Sequence, residues 1–355
     1  MKTLKKTASF TDIHWGAKNN SEQHNNDCML FINWFCDKVR SDPTIDSIIF
    51  LGDWFEQRTH VNISTMNWSY HGAKKLNELG LPVYFIIGNH DLYHRHTRDI
   101  TSTVNYREFN NFTVIDHPIV VKELGAGVLL CPYLFAHEYP SLDQYLTLPT
   151  WWGHFEFKGF VVTGQNQVMH HGPSSDDFAG PTRIFSGHFH KRQSNQNIVY
   201  IGNAVPSSFG DANDYARGMM VYNHTSDQIT FIDWEDCPKY TKVTLSELVN
   251  NIGSVKIYPQ SRVRCYIDVS IEHDELSTLR KQLIDQYDLR EFSMEESMEL
   301  QQSIETADIQ EIEDLTEEEF NQATLDELVL IMLKKVTTDL INPDILCAQY
   351  NRLKL

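Results

Sequence analysis

Cysteine is scarce in this sequence and never paired. Six occur in 355 residues (Cys28, Cys36, Cys131, Cys237, Cys265 and Cys347), and no two stand in a CxxC spacing. This argues against a disulfide framework or a thiolate zinc site and for free thiols in a reducing compartment. Long apolar runs are missing as well. No stretch approaches the roughly 18 residues that a membrane span requires. The opening MKTLKKTASFTDIHWG carries early lysines but no apolar core, so no signal peptide is expected. Positive charge is in deficit: 30 Lys and Arg stand against 48 Asp and Glu, for a formal charge of −18. Capture of nucleic acid by net attraction is therefore not expected, although a local site remains open.

The deficit is concentrated. Thirteen carboxylates lie between Glu295 and Glu327 with no Lys or Arg among them, so the remainder of the chain is only mildly acidic. At 41% hydrophobic residues the composition is globular, and the length suits two or three domains. Sixteen histidines are the compositional excess, and they point to metals or proton chemistry.

Residues 1–240 alternate short β-rich runs with helical stretches, the pattern of an α/β domain. The runs Ile45–Leu51, Val83–Ile87, Phe160–Thr163 and Val199–Ile201 read as strands, and Met66 to Leu79 as a helix. The pattern changes near residue 240. Arg262–Ile271 alternates like a half-buried strand, and Asp274–Tyr287 carries Leu276, Leu279, Leu283 and Ile284 on one helical face. Residues 241–294 therefore read as a small α+β domain, 295–323 as an acidic linker, and 324–355 as a terminal helix pair.

Five motifs follow in chain order: Asp12-Ile13-His14, Gly52-Asp53, Gly88-Asn89-His90-Asp91, Gly153-His154 and Gly187-His188-Phe189-His190. The second and third each follow an expected strand, where α/β sheets carry their ligands. Asp12, His14, Asp53, Asn89, His154, His188 and His190 supply carboxylate, amide and imidazole donors without a thiolate. Mixed oxygen and nitrogen ligands suit Mn²⁺, Fe²⁺ or Zn²⁺ better than Mg²⁺ or Ca²⁺. Residues two apart on an extended strand share a face, so Asp12 with His14, and His188 with His190, can each address one site. Seven donors exceed the needs of one ion and suit two, about 3.5–4 Å apart, as in phosphoester hydrolysis. One carboxylate must then bridge, and Asp53 sits in a suitable loop. The recurring glycine lets the backbone turn sharply at each strand end.

That ordered set resembles the calcineurin-like metallophosphoesterase superfamily over about residues 8–220. The loop Tyr200-Ile201-Gly202-Asn203-Ala204-Val205-Pro206-Ser207-Ser208-Phe209-Gly210-Asp211 is similar to that of the SbcD-type DNA repair nucleases. The segment Gly153–Phe160 looks most like the compact recombination nuclease subunits of large phages. The resemblance implies a four-layer metallophosphoesterase β-sandwich flanked by helices, a small α+β capping domain that binds DNA, and C-terminal helices. It implies two divalent ions, Mn²⁺ ahead of Mg²⁺. Asp12, His14, Asp53 and His190 would hold one ion, and Asp53, Asn89, His154 and His188 the other. His90 would protonate the leaving group or steady the phosphate, with Asp91 orienting it. The implied activity is 3′–5′ exonuclease on duplex DNA and endonuclease on single strands. The implied partners are DNA, an SMC-like ATPase of SbcC type and a second copy of the chain, in the cytoplasm (the host's, if the source is a phage). One departure stands out: where some members carry a second histidine three residues after the bridging Asp, this chain has Glu56.

Alternatives of other classes are a phosphoesterase acting on a cyclic nucleotide, pyrophosphate or phosphoprotein, and a scaffold without activity. Among residues outside the motifs, His170-His171 reads as a loop pair at the cleft margin ahead of a phosphate contact, Trp151-Trp152 as core ahead of a platform for a splayed base, and Trp54 and Phe55 as core. His94, Arg95, His96 and Arg98 read equally as surface or as DNA-backbone contacts.

Overall fold

The computed structural model describes residues 3–162, 167–250, 256–269, 271 and 273–296. The acidic segment beyond Glu296 and the helices expected over 324–355 lie outside the described residues. The chain divides into two units, Met1–Cys265 with Ile271–Met294, and Tyr266–Ser270 with Glu295–Leu355. The first unit carries all five motifs.

Its first sheet has six strands: β1 (Lys6–Phe10), β2 (Ser47–Phe50), β3 (Val83–Ile86), β4 (Phe112–Ile115) and, later in the chain, β11 (Gly218–Asn223) and β12 (Gln228–Asp233). Their order is β12-β11-β1-β2-β3-β4. β1 to β4 run parallel; on the far side of β1, β11 pairs antiparallel with β1 and β12 pairs antiparallel with β11. The second sheet contains β5 (Ile119–Val121), β6 (Val128–Cys131), β7 (Thr150–Gly153), β8 (Arg183–Ser186), β9 (Gln193–Asn195) and β10 (Ile198–Tyr200), in the order β5-β6-β7-β8-β10-β9. Its four central strands, β6, β7, β8 and β10, are parallel.

Alternation along the strands builds three apolar layers. Ile49, Leu51, Tyr84 and Ile86 from the first sheet meet Leu130, Trp152, Phe185 and Val199 from the second. The neighbours Ile48, Phe50, Phe85 and Phe10 point the other way, onto α1 (Glu22–Ser41) and α2 (Ile63–Asn77). From the second sheet, Leu129, Trp151, Ile184 and Tyr200 face outward, onto Leu134, Tyr139, Leu142, Phe157 and Phe178. Strands buried on both faces read as continuous apolar runs rather than alternating ones, which is why β2 and β3 are visible in the sequence. The architecture is thus the four-layer α/β sandwich expected, with one difference. Among the described residues, α-helices cover only the first sheet; the outer face of the second is covered by 3₁₀ segments at Ala136–Tyr145 and Ser175–Phe178 and by loops. Of the strand expected over Phe160–Thr163, residues 160–162 are described and carry an isolated bridge between Val161 and Val168, while Thr163 lies outside the described residues.

β13 (Tyr240–Thr244), α3 (Leu245–Asn250), β14 (Arg262–Ile267), α4 (His273–Tyr287) and β15 (Glu291–Glu296) follow, with the three strands forming a sheet in the order β13-β14-β15. Arg290, at the foot of β15, reaches back to α1. Its Nη1 lies 2.9 and 2.8 Å from the two carboxylate oxygens of Asp27. Asp27 is buried, and desolvation raises its carboxyl above the usual range although Arg290 opposes this. Removing one member of such a pair leaves the other charge uncompensated. Arg290→Ala is therefore expected to lower the free energy of unfolding by about 3 kcal/mol. Urea denaturation followed by tryptophan fluorescence checks this; a loss under about 1 kcal/mol would mean the pair does not hold α1 to this segment.

Candidate metal centre

The carboxyl ends of the parallel strands of both sheets open onto one cleft. Asp12 and His14 follow β1, Asp53 follows β2, and Asn89 and His90 follow β3. His154 follows β7, and His188 and His190 follow β8. Backbone bonds stitch the two rims together: Ala204 N–H donates to the Thr11 carbonyl at 2.9 Å, and Tyr133 N–H to Ile87 at 2.9 Å.

The i, i+2 pairs do not reach the site by strand pleating. Asp12, His14, Asp53 and His188 all lie beyond their strands with positive φ, at 50°, 53°, 59° and 88°. Left-handed backbone is uncommon for residues with a side chain, and its clustering at four chemically active positions marks a strained, functional segment. Gly52 turns with φ 103°, as the sharp strand-end turn requires. Gly88 acts differently. Its φ is ordinary, but a Cβ there would collide with the Asp53 carboxylate.

Three groups of potential ligand atoms lie within 4.8 Å of one another: Asp12 with His14 and His190, Asp53 with His154 and His188, and His14 with Glu56 and His90. Asn89 Oδ1 joins the second, 3.0 Å from His154 Nε2 and 2.9 Å from His188 Nδ1. Asp53 lies between the first two, with Oδ2 3.9 Å from His14 Nε2 and 3.3 Å from His154 Nε2.

The outward ring nitrogens each face an oxygen, that of His14 at ion-pair distance without hydrogen-bond alignment. His154 Nδ1–H donates to the Leu51 carbonyl at 2.7 Å. His188 Nε2 is 3.1 Å from Glu156, His190 Nδ1 is 3.1 Å from Asp211, and His14 Nδ1 is 2.9 Å from Glu56. If those nitrogens carry the protons, the inward ones present lone pairs. His14 Nε2 and His190 Nε2 then face each other at 3.2 Å, and His188 Nδ1 and His154 Nε2 at 3.3 Å. Acceptors converging in this way need a cation among them, and outward bonds to carboxylate or carbonyl are the usual support of metal-bound imidazole. Protonation agrees. Burial alone would lower the imidazoles of His14 and His154, but Glu56 and Asp53 beside the first, and Asp53 and Asp12 beside the second, hold each up to about 9. Protons here occupy positions that suit metal charge, so the donor set fits a pair of divalent ions.

Asp91 does not orient His90. Its buried carboxylate accepts from four backbone N–H groups: Gly88 at 2.9 Å, Asp53 at 3.1 Å, Trp54 at 3.0 Å and Phe55 at 3.3 Å. Among the described residues it makes no bond to the His90 ring. The ring is held instead by the Glu56 carbonyl, which accepts from His90 Nδ1 at 2.7 Å. Burial, reinforced by Asp53, pushes the Asp91 carboxyl up to about 7. Asp91 thus clamps the ligand loops. Trp54, Phe55, Trp151 and Trp152 are buried as expected, and His170-His171 lies exposed outside the ligand groups.

A family model described as calcineurin-like phosphoesterase matches residues 5–192. The chain belongs to the calcineurin-like phosphoesterase family. Hydrolysis of phosphoesters at a dinuclear metal centre is the chemistry of that family, and the two ligand groups sharing Asp53 are this chain's candidate for it. The chain is also similar to exonuclease subunit 1 of Enterobacteria phage T4, at 25% identity over 259 residues, covering 65% of this chain and 76% of that protein. Among solved structures it is similar to an archaeal phosphodiesterase, with 10% identity, a TM-score of 0.36, and coverage of 64% of this chain and 99% of that one. A Pseudomonas putida nuclease shows 14% identity and a TM-score of 0.30, over 63% of this chain and 87% of that one.

Three acids of the site were given no role by sequence reasoning: Glu56, Glu156 and Asp211. Each supports a histidine from a distance the sequence does not show, although Glu156 lies two residues beyond His154 and Asp211 closes the glycine loop. Asp211 is itself held by Ser207 N–H at 2.9 Å and lies 3.7 Å from the buried Arg217. Asp211→Asn is expected to weaken one of two bound ions by about 10–100-fold while leaving the other. Calorimetric titration of the metal-free chain with Mn²⁺ reads this directly; an unchanged isotherm would show that Asp211 does not tune His190.

Proposed function

We infer that this chain is a metal-dependent DNA nuclease, the hydrolytic subunit of an assembly with an SMC-like ATPase. The observation that carries the hydrolytic half is the convergence of six donors around the shared Asp53 carboxylate, each histidine facing an oxygen on its outer side. The DNA half rests on likeness to a phage protein named as an exonuclease subunit, together with the nuclease-type loop 200–211. The word subunit in that name supports a partner protein. Residues 324–355 are the segment proposed to meet it, 295–323 the linker, and 241–294 the capping domain on a nuclease domain of 1–240. Mn²⁺ is the proposed metal because the donors are mixed oxygen and nitrogen, and the cytoplasm the proposed location because the cysteines are free.

Divalent ions held by Asp12, His14, Asp53, Asn89, His154, His188 and His190 would neutralise the phosphate and acidify a water. The chain's own residues do the rest. The cleft between the ligand loops is lined by His14, Glu56, His90, His190 and the Ser207–Gly210 loop, with Lys18 and Arg264 also on its walls. These two cations suit a phosphate backbone. With Nδ1–H donated to the Glu56 carbonyl, His90 keeps Nε2 for the leaving oxygen. Burial above all holds that imidazole below its ordinary value, so a proton on it is held loosely and is carried by a smaller fraction of molecules as pH rises. General acid catalysis of this kind contributes about 10²–10⁴-fold.

A homodimer is proposed at α2. Ile63 and Met66 on α2 are 87% and 50% exposed, and Tyr70, Tyr93 and Ile100 are exposed beside them around an apolar hollow of about 500 Å³. Contiguous exposed apolar side chains of this kind mark association surfaces.

Two outcomes are expected. With Mn²⁺, the chain digests end-labelled duplex DNA, and His90→Ala slows it at least about 100-fold without releasing metal; an inert wild type that still hydrolyses bis-p-nitrophenyl phosphate would sink the DNA assignment. In sedimentation, the wild type runs as a dimer and Met66→Glu as a monomer, and identical profiles would remove α2 from the interface.

A further inference from the structure

Beside the metal centre lies a second cavity, of about 560 Å³, that phosphoester hydrolysis itself does not use. Its size is that of a small-molecule site. Tyr133, Leu134, Tyr139, Pro140 and Phe178 supply apolar and aromatic walls. It exists because 3₁₀ segments and loops, rather than long helices, cover the second sheet here.

Two residues join it to the catalytic cleft. Glu156 forms part of its wall and also lies 3.1 Å from His188 Nε2. The Tyr133 ring, another wall, sits 5.9 Å from the His188 ring and 6.2 Å from the His154 ring. A group entering this cavity is therefore one side chain away from the metal ligands.

Charge limits what that group can be. Asp143, Glu156 and Asp177 line the cavity; among the described residues His171 is its sole ionisable nitrogen group, and no Lys or Arg contributes. A phosphate or a carboxylate would be repelled. A flat, neutral ring with amino donors would be accepted on both counts, because it stacks on the aromatic walls and donates to the carboxylates.

We propose that this cavity receives an unstacked nucleobase of the nucleotide whose phosphate lies at the metal centre. The proposal rests on the nuclease reading and adds a base-binding subsite to it. Enzymes that hold a base out of its stack do so between aromatic and apolar side chains with hydrogen bonds to its edge. Stacking of a base on an aromatic side chain is worth about 1–3 kcal/mol. Exocyclic amines of adenine and cytosine are donors that carboxylates accept, whereas thymine has none.

The test is calorimetric binding to the Mn²⁺-loaded full chain, using deoxyadenosine 5′-monophosphate and deoxyribose 5-phosphate. The base-bearing ligand is expected to bind about tenfold tighter or more, and thymidine 5′-monophosphate less tightly than the adenine nucleotide. Ala136→Trp, at an exposed position on the cavity mouth, fills the space without touching a ligand. It should bring the two affinities within about twofold and leave deoxyribose 5-phosphate binding unchanged. Equal affinities in the wild type, or a preference that survives Ala136→Trp, would overturn the subsite. DNA digestion run in parallel separates the two claims: a base preference abolished by Ala136→Trp in a chain inert on DNA would establish the subsite and remove the nuclease reading.

Discussion

The cleft is organised around acceptor atoms that face one another with too little positive charge between them. Asp12 and Asp53 are buried, and the imidazoles around them turn their outward nitrogens to Glu56, Glu156, Asp211 and the Leu51 carbonyl. Buried carboxylates in that position are costly unless paired. Without metal the pairing falls to protons, which is why His14 and His154 are held up to about 9. A pair of divalent ions held by these residues would relieve the same imbalance with charge in place of those protons. Metal affinity here is therefore a property of the folded scaffold, which must keep the acceptors together against their repulsion.

The scaffold does so through backbone. Two sheets present their strand ends to one line, and each ligand sits one to four residues beyond a strand, close enough to be rigid. Left-handed conformations at Asp12, His14, Asp53 and His188 cost about 1–3 kcal/mol each when isolated. They persist because neighbouring groups over-determine them. Asp91 is the clearest case, since one carboxylate fixes Gly88 and the whole turn from Asp53 to Phe55. Its proximity to Asp53 also explains why it sits near the border of ionisation, up to about 7, with burial the larger cause.

The candidate ligands were legible in the sequence because Asp53, Asn89, His154, His188 and His190 each follow a glycine at a strand end, and Asp12 with His14 forms a short Asp-x-His motif, all local signals. Their support was not, because it is assembled through space. Nothing adjacent to Asp211 says that it meets His190, and Asp91 follows His90 directly yet bonds elsewhere. α1 went unread for a related reason. His24, Asn25 and Asp27 are polar and yet buried on it, so its apolar stripe is interrupted by residues that serve the His14 carbonyl, the Gly16 turn and Arg290. In the run expected from Phe160, the apolar character of Phe160 itself serves the outer layer.

The protein's negative charge is largely remote in sequence from the cleft. Most of the excess of −18 lies between Glu295 and Glu327, beyond the residues that build the site. At the cleft itself Lys18 and Arg264 stand against Glu56 and Glu291, so the walls offer a polyanion little net attraction. Each divalent ion held there would add two positive charges in a buried setting where screening by salt is weak. A phosphoester would then be attracted chiefly by the ions and only secondarily by the protein surface. Metal and phosphate binding must be coupled by linkage, each tightening the other by the same factor. An acidic protein could in this way hold an anionic phosphoester without first attracting it through its own surface.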